Sequence, residues 1–241
     1  MWSGACSTIF AVVNCCDNKL KRLFIMPEIT LWGTGTSRTF RVHWLLAELD
    51  LPYSNRAMNP RTGETLTESF TALNPKQKIP VLTYDQAVIS ESFAILRFLR
   101  RQCEALPLSD YQKSLEGQTR FDELSSFILM ELDATSLYIV RRHQDLSKIY
   151  GEAPNAVASA RAYFLRLLNS GIPDFDPTRF VWGELFSELD ILLVSTLDWA
   201  DAMEIPLPAA FQQYLEYQRQ RPAYLAAKQA NRPNQSQKRP S

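Results

Sequence analysis

Residues 74–82, which read NPKQKIPVL, constrain the fold of this chain more than any other segment. Proline has no N–H group, so Pro80 is tolerated best at the first position of a strand, and the apolar pair after it predicts a strand that starts there. The residue before a proline is held extended. We therefore expect the N–H and C=O of Ile79 to point outward, unpaired and available to an extended, peptide-like ligand.

The residues after this strand predict an anion site at a helix start. Residues 81–89 alternate weakly around residues 85–86, which indicates two short strands joined by a tight turn. Glu91 and Ser92 then open an apolar helical pattern. Free N–H groups and the positive end of the helix dipole favour a bound carboxylate, and the Glu91 side chain beside them suits an ammonium group. Together they match an amino-acid head group.

The composition limits the classes of function. With 26 basic and 26 acidic residues among 241, the formal net charge is zero, and no basic stripe offers a surface for nucleic acid. The hydrophobic content of 46% is ordinary for a globular protein, and no apolar run approaches the roughly 20 residues that span a bilayer. We expect neither a nucleic-acid partner nor membrane insertion.

The cysteines lie mostly in an N-terminal leader. Cys6, Cys15 and Cys16 precede the first strand pattern, and only Cys103 lies beyond it, which is no disulfide framework and indicates a reducing, cytoplasmic location. Residues 1–26 read as a leader of doubtful structure. Residues 5–13 are apolar but lack the preceding basic residues of a secretory signal. A membrane-targeting or acylated leader is the alternative.

The first domain, residues 27–104, is predicted to be α/β. Its patterns give βαβ followed by ββα: strands at 28–32, 53–58 and within 81–89, and helices at 40–49, up to 73, and 91–103. The loop before the first helix ends at Ser37, a residue type that commonly caps helices.

The second domain, residues 111–230, is predicted to be entirely helical, after a linker at 105–110. Apolar periodicity covers residues 111–146, 157–168 and 186–199. At the last of these, Ser187 and Asp190 form a capping-box pattern, and Phe186 and Ile191 are spaced as a hydrophobic staple, which is a folding signal without chemistry. Residues 231–241 are rich in Asn, Gln, Pro, Lys and Arg and predict a disordered tail.

These motifs, in this order, resemble the glutathione S-transferase family over about residues 28–231. The resemblance rests on residues 73–82, on Glu91-Ser92, on the capping box in residues 186–193, and on residues 221–224, which look like the ending of many bacterial members. It implies a thioredoxin-like first domain in which Pro80 is a cis proline, a helical-bundle second domain, and a homodimer. It also implies glutathione as co-substrate.

The resemblance also assigns roles to single residues. Ile79 would pair its main chain with the cysteinyl unit of glutathione, Glu91 and Ser92 would hold the γ-glutamyl amine and carboxylate, and Lys78 would reach the glycyl carboxylate. Serine-type members carry a catalytic hydroxyl four residues beyond a glycine that closes the first strand. Gly33 and Ser37 have that spacing, which makes Ser37 the candidate catalytic residue.

The chemistry requires such a group independently of the family. A thiol near its reference pKa of about 8.5 is mostly protonated at neutral pH, and a donated hydrogen bond plus a helix start stabilise the thiolate. Lowering the pKa by about two units takes about 2.7 kcal/mol, within reach of these two effects. Thr34 and Thr36 are alternative hydroxyls, and Ser37 as a helix cap alone is the other interpretation.

Two positions depart from the family pattern. Many members have basic residues aimed at the glycyl carboxylate where this chain has Leu66, and a glycine where it has Gln77. Arg61 or Lys76 are candidates to substitute. Leu66 and Gln77 motivate a non-catalytic binding or regulatory module as an alternative to a transferase acting on a small apolar electrophile. Glutathione-dependent peroxidase, dehalogenase or isomerase activity is a further alternative that the same site supports.

The second substrate would lie against the first long helix of the second domain. Tyr138 and Arg142 are our candidates for this pocket, because that stretch combines apolar and aromatic residues with a basic end. Residues at helical spacing more often form core, which is the alternative. His43 and His143 have no partners at metal-ligand spacing, so no metal is expected. No Gly-x-Ser-x-Gly elbow indicates a hydrolase.

Overall fold

The computed structural model describes residues 27–103, 106–173 and 175–232. The first domain contains, in order, β1 (Ile29–Trp32), α1 (Ser37–Glu48), β2 (Ser54–Arg56), a short 3₁₀ turn (Glu64–Leu66), α2 (Glu68–Leu73), β3 (Val81–Tyr84), β4 (Ala87–Ser90) and α3 (Ser92–Gln102). The sheet order is β2-β1-β3-β4. β1 and β2 are parallel, whereas β3 is antiparallel to both β1 and β4. The predicted thioredoxin-like arrangement is confirmed.

The first domain is held together by α1, which is buried on more than one side. Trp44, Leu45 and Leu46 are fully buried, and so are Leu31 on β1 and Leu82 on β3. Three consecutive buried residues cannot come from one helical face, so α1 packs against the sheet on one side and against the second domain on the other. The α1 N-terminus is thereby placed at the domain junction.

The second domain is helical, as predicted. It contains α4 (Asp110–Lys113), α5 (Leu115–Ser126), α6 (Tyr138–Val140), α7 (Ser147–Tyr150), α8 (Pro154–Ser170), α9 (Glu188–Ala202), α10 (Ala209–Arg219) and α11 (Pro222–Ala230). The chain stays helical between α5 and Asp145, but with wider π-type turns at Phe127–Leu137 and Arg141–Asp145. The continuous apolar periodicity of residues 111–146 is divided at Ser114, because the Ser114 side chain caps α5 by accepting the Gly117 N–H.

Two predicted terminal segments and part of the linker lie outside the described residues. These are the leader at 1–26, most of the tail at 231–241, and residues 104–105. Asn231, which the sequence placed at the start of the disordered tail, is instead bound to the first domain. Its Oδ1 accepts the Gly35 N–H at 3.0 Å, and its Nδ2 donates to the Thr36 carbonyl at 3.1 Å.

A buried ionic network joins the domains. Arg41 on α1 is fully buried, and its Nη2 donates to Asp133 Oδ2 at 2.7 Å while its Nε donates to Ser195 Oγ at 2.7 Å. At the other end of α1, Arg221 binds Glu48 through two hydrogen bonds of 2.8 and 2.9 Å. Both ends of α1 are thus fixed against the second domain.

The predicted capping box at the start of α9 is present. Asp190 Oδ2 accepts the Ser187 N–H at 2.7 Å and the Ser187 hydroxyl at 3.0 Å. Its Oδ1 accepts the Val181 N–H at 2.8 Å and the Tyr214 hydroxyl. Burial raises the pKa of Asp190, and these donated hydrogen bonds oppose the rise. Asp190 therefore fixes the preceding loop and α10 as well as the start of α9.

Replacing Ser187 by Ala is expected to lower the free energy of unfolding by about 1 kcal/mol, the usual value of a capping hydroxyl. The hydroxyl is fully buried and donates to Asp190, so water cannot replace it without rearrangement. Urea denaturation measures the change. The matched control is Ser159→Ala on the exposed part of α8, expected to stay within about 0.5 kcal/mol. Equal stability of the two variants would exclude a capping role for Ser187.

Candidate functional site

The turn between β1 and α1 brings two backbones unusually close. Gly33 has φ of 115°, and a Cβ added there would lie 2.6 Å from Ile79 Cβ. Only glycine combines this backbone conformation with so close an approach. Gly33 therefore allows residues 78–80 to lie directly beside the start of α1, which places the two predicted parts of the ligand site next to each other.

The residue that caps α1 is Thr36, so the expectation that Ser37 is the capping residue was wrong. The Thr36 side chain accepts the Thr39 N–H at 3.0 Å, and Ser37 is the first residue of the helix. Within the described residues, the Ser37 hydroxyl makes no hydrogen bond, and the Ser37 and Arg38 N–H groups have no acceptor. A free hydroxyl therefore lies beside two free N–H groups at the positive end of the α1 dipole.

Ile79 presents its backbone as the sequence predicted. The Ile79–Pro80 peptide bond is cis, and β3 begins directly after it at Val81. In the part of the chain that the structure describes, the Ile79 N–H and C=O have no hydrogen-bond partner. Asn74 holds this loop from behind by donating to the Lys78 carbonyl at 2.8 Å. The unpaired pair of backbone groups is available to an extended ligand.

A cleft of about 470 Å³ lies between the domains at this point. It brings together four of the predicted site residues, namely Ser37, Lys78, Ile79 and Tyr138. The Lys78 side chain is exposed and forms no ion pair among the described residues. The cleft therefore has a hydroxyl, a free cation and an unpaired peptide group on one wall, with an aromatic ring opposite.

Glu91 and Ser92 lie at the start of α3, outside the walls of this cleft. Glu91 precedes the helix with φ of 72°, and its carboxylate accepts a hydrogen bond from Lys76 Nζ at 2.5 Å. Both side chains of this ion pair are largely exposed, so it contributes little to stability. The N–H groups of Ser92 and Phe93 have no acceptor among the described residues. This helix start retains the properties of an anion site.

Arg142 is not among the residues that line the cleft. Its guanidinium lies 4.4 Å from the centre of the Tyr150 ring, and Tyr150 does line the cleft. The neighbouring Arg141 occupies the cleft wall instead. The π-type turns in this stretch shift the helical phase, so spacing alone did not show which arginine faces inward.

The two departures from the family pattern have different consequences. Leu66 lines the cleft and is 65% exposed, so no cation is supplied from that position. Gln77 has φ of 54°, a conformation that glycine adopts most easily, and its side chain donates to Thr71 Oγ1 at 3.0 Å. Gln77 therefore preserves the backbone path of a glycine at some conformational cost, estimated at about 1–2 kcal/mol.

A second cavity of about 350 Å³ adjoins the first. The two share Thr36, Ser37, Arg61 and Arg141 as lining residues. The second is completed by α9 and the end of the chain, including Trp199, Lys228 and Asn231. No sequence motif connects these three residues with Ser37, because they lie far from it in the chain and meet it only through folding. Ser37 thus lies where the two cavities meet.

His43 contacts the turn between β1 and α1 from the protein interior. It is fully buried on α1, with Nδ1 2.7 Å from the Tyr53 hydroxyl and Nε2 3.4 Å from the Gly33 carbonyl. Burial lowers the pKa of His43 to about 4, so the ring is neutral at physiological pH. In that state Nε2–H donates to Gly33, and Nδ1 accepts from Tyr53. Within the described ranges, the structure groups no three residues of the metal-binding types.

The family model for the N-terminal domain of glutathione S-transferases matches residues 27–101. This match covers the first domain and less than half of the chain. It is 34% identical over 73 residues to glutathione S-transferase theta-1 of Bos taurus, an alignment that covers 30% of each chain. It is 24% identical over 188 residues to glutathione S-transferase TCHQD of Arabidopsis thaliana, covering 65% of this chain and 71% of that one.

The similarity to solved structures extends into the helical domain. A solved structure described as Ure2p in complex with glutathione has a TM-score of 0.73 to this chain at 19% identity. The superposition covers 84% of this chain and 98% of that one. At this identity the likeness establishes the fold of both domains. The curated theta-1 alignment, in contrast, spans less than a third of the relative's length. Among the described residues, no helix is both long and apolar enough to span a membrane.

Proposed function

We propose that this chain is a glutathione transferase in which Ser37 activates the thiol of glutathione. The observation that carries the proposal is the unpaired Ser37 hydroxyl at the junction of two cavities, beside the unpaired N–H groups of the first turn of α1. A hydroxyl that donates to sulfur stabilises the thiolate over the thiol, and the helix dipole acts in the same direction.

The remaining wall of the cleft suits the peptide part of glutathione. The Ile79 N–H and C=O pair with the cysteinyl unit, with Pro80 setting the start of the strand behind them, and Lys78 supplies a cation for the glycyl carboxylate. The free N–H groups at Ser92 take the γ-glutamyl carboxylate. The Glu91 carboxylate then exchanges its exposed Lys76 partner for the γ-glutamyl ammonium group.

The reaction that follows is nucleophilic attack. The thiolate sulfur donates an electron pair to an electrophilic carbon, the new C–S bond forms, and the displaced group leaves with its own electron pair. Tyr138 lines the cleft in which the electrophile lies, and Arg142 acts there through the Tyr150 ring that it covers. The apolar side chains of Leu146 and Ile149 complete that wall and suit an apolar part of the electrophile.

An ultraviolet difference titration of glutathione across pH tests the role of Ser37 without a second substrate. We expect a thiolate signal at neutral pH in the native protein. In Ser37→Ala the pKa of the bound thiol should rise by about 1–2 units, the value of one hydrogen bond to a charged group. Thr34→Val is the matched control, because Thr34 is buried and lines neither cavity.

The outcomes of this titration distinguish three explanations of the site. A shift in Thr34→Val equal to that in Ser37→Ala would show that the serine has no special role. If the thiolate signal of bound glutathione is the same in Ser37→Ala as in the native protein, then Thr36 or the α1 N-terminus alone activates the thiol. No binding at millimolar glutathione would favour a non-catalytic module with this fold, which the exposed Leu66 and the Lys76–Glu91 ion pair also motivate.

We further propose that the protein acts in the cytoplasm as a homodimer. The cytoplasmic location rests on the free thiol of Cys103 and the absence of a disulfide framework in the sequence. The dimer rests on the family alone. Analytical ultracentrifugation of the full chain at micromolar concentration distinguishes the two states, and a mass of one chain would exclude the dimer.

A further inference from the structure

The two cavities are rich in positive charge. Among the described residues, seven basic side chains line the two cavities: Arg38, Arg61, Lys76, Lys78, Arg141, Lys228 and Arg232. Two acidic side chains, Asp145 and Asp198, line them as well. The chain as a whole has a formal net charge of zero. The positive charge is therefore concentrated where the second substrate would lie, although the sequence motivated a small apolar electrophile.

Several of these cations already have partners. Arg38 binds Asp133, Lys76 binds Glu91, and Lys228 lies 3.2 Å from Asp198. Asp198 in turn accepts hydrogen bonds from Arg219 and from the Tyr224 hydroxyl, so it has no free capacity to neutralise the cavity. Arg38 and Lys228 are therefore already neutralised, whereas Lys76, which lines only the first cavity, would lose Glu91 when glutathione binds.

Arg61, Lys78, Arg141 and Arg232 have no carboxylate partner among the described residues. Of these four, Arg61 and Arg141 line both cavities. Within the described residues neither side chain forms an ion pair or a hydrogen bond. Arg141 is half-buried, and burial lowers its pKa, with the charge of Arg61 lowering it further. The Asp145 carboxylate opposes this lowering but forms no ion pair with Arg141 among the described residues. A bound anion would supply the carboxylate partner that these two guanidinium groups lack.

Aromatic rings line the same two cavities as these arginines. The Arg141 guanidinium carbon lies 5.9 Å from the centre of the Trp199 ring, within the range of a cation–π contact. Tyr138 lines the first cavity, and the guanidinium carbon of Arg38 lies 5.0 Å from the centre of the Tyr138 ring. Aromatic rings in the walls of the two cavities suit a flat, unsaturated ligand, whose anionic substituent then reaches the arginines.

We propose that the electrophile is an aromatic carboxylate whose carboxylate group is bound by Arg61 and Arg141. This inference rests on the proposed function, and it names the substrate class of the same site. Lys78 remains the cation assigned to the glycyl carboxylate of glutathione. The two arginines could bind either the carboxylate of the electrophile or a carboxylate of glutathione, and the experiment below distinguishes these two ligands.

A matched pair of acceptors tests the proposal on the full chain: 4-chloro-3-nitrobenzoate and 4-chloro-3-nitrobenzamide. In both, the glutathione sulfur forms a bond to the ring carbon, chloride leaves with the electron pair of the C–Cl bond, and the thiol proton passes to water. We expect Arg141→Gln to lower kcat/KM for the benzoate by about 10–100-fold and for the benzamide by less than about threefold. Arg141→Lys should keep part of the preference.

The control is Arg166→Gln, an exposed arginine on α8 that lines neither cavity, which should leave both acceptors unaffected. The KM for glutathione should stay unchanged in Arg141→Gln. Equal losses with both acceptors, together with a raised KM for glutathione, would overturn the proposal, because the arginines would then bind glutathione. A native enzyme that prefers the benzamide would overturn it as well.

A binding measurement keeps this proposal separate from the proposed function. Unreactive 4-nitrobenzoate should quench tryptophan fluorescence through Trp199 and bind at least tenfold more tightly than 4-nitrobenzamide. Arg141→Gln should abolish the difference. This preference supports the anion site even if the glutathione titration shows no thiolate, in which case only the transferase chemistry fails. Equal binding of the two nitro compounds would remove the anion site while leaving the thiolate result intact.

Discussion

Asp133→Asn is expected to lower the free energy of unfolding by about 3–5 kcal/mol, the usual effect of removing one partner from a buried ion pair. Burial raises the pKa of Asp133, but the guanidinium groups of Arg41 and Arg38 outweigh it and hold that pKa below its usual value. The carboxylate is therefore charged when it binds Arg41, which is fully buried. Without the carboxylate, Arg41 keeps a positive charge that water cannot reach.

Urea denaturation of the native chain and the variant measures this loss. Glu123→Gln is the matched control: Glu123 pairs with Arg120 on the surface of α5 and should contribute at most about 1 kcal/mol. A double variant, Arg41→Met with Asp133→Leu, should recover much of the loss, because apolar pairs often replace buried ion pairs without cost. If Asp133→Asn unfolds at the same urea concentration as Glu123→Gln, the network does not join the domains energetically.

The stability of the protein is expected to fall as the pH is lowered from about 6.5 to about 4, with His43 contributing up to about 3 kcal/mol. Burial lowers the pKa of His43 to about 4, compared with a reference value of about 6.5 in the unfolded chain. Between these values the unfolded state binds a proton that the folded state does not. Folding is therefore favoured above pH 6.5 and progressively less below it.

The difference between the native chain and His43→Gln isolates this contribution, since carboxylates titrate in both. Unfolding free energies at pH 7, 5.5 and 4 should converge as the pH falls. The matched control is His143→Gln, which removes the other histidine of the chain; its Nδ1 lies 2.9 Å from the exposed Gly151 carbonyl. Parallel curves for the native chain and His43→Gln would show that the pKa of His43 is the same in the folded and unfolded states.

The sequence determined the parts of the site that depend on local backbone chemistry. Pro80 fixes the start of β3, and the extended residue before it leaves the Ile79 peptide groups unpaired. Gly33 closes β1 four residues before Ser37, which places the hydroxyl on the first turn of α1. The Ser187–Asp190 pair begins α9. In each case the residues that interact are near each other in the chain, so spacing and side-chain type suffice to predict the result.

Tertiary structure alone decided which side chains line the two cavities beside Ser37. Arg61 and Arg141 line both cavities, yet they come from different domains, and the π-type turns determine that Arg141 rather than Arg142 faces inward. Asn231 binds the start of α1 across nearly the whole length of the chain. These contacts depend on how the two domains pack, and packing is set by the summed burial of many side chains rather than by any local motif.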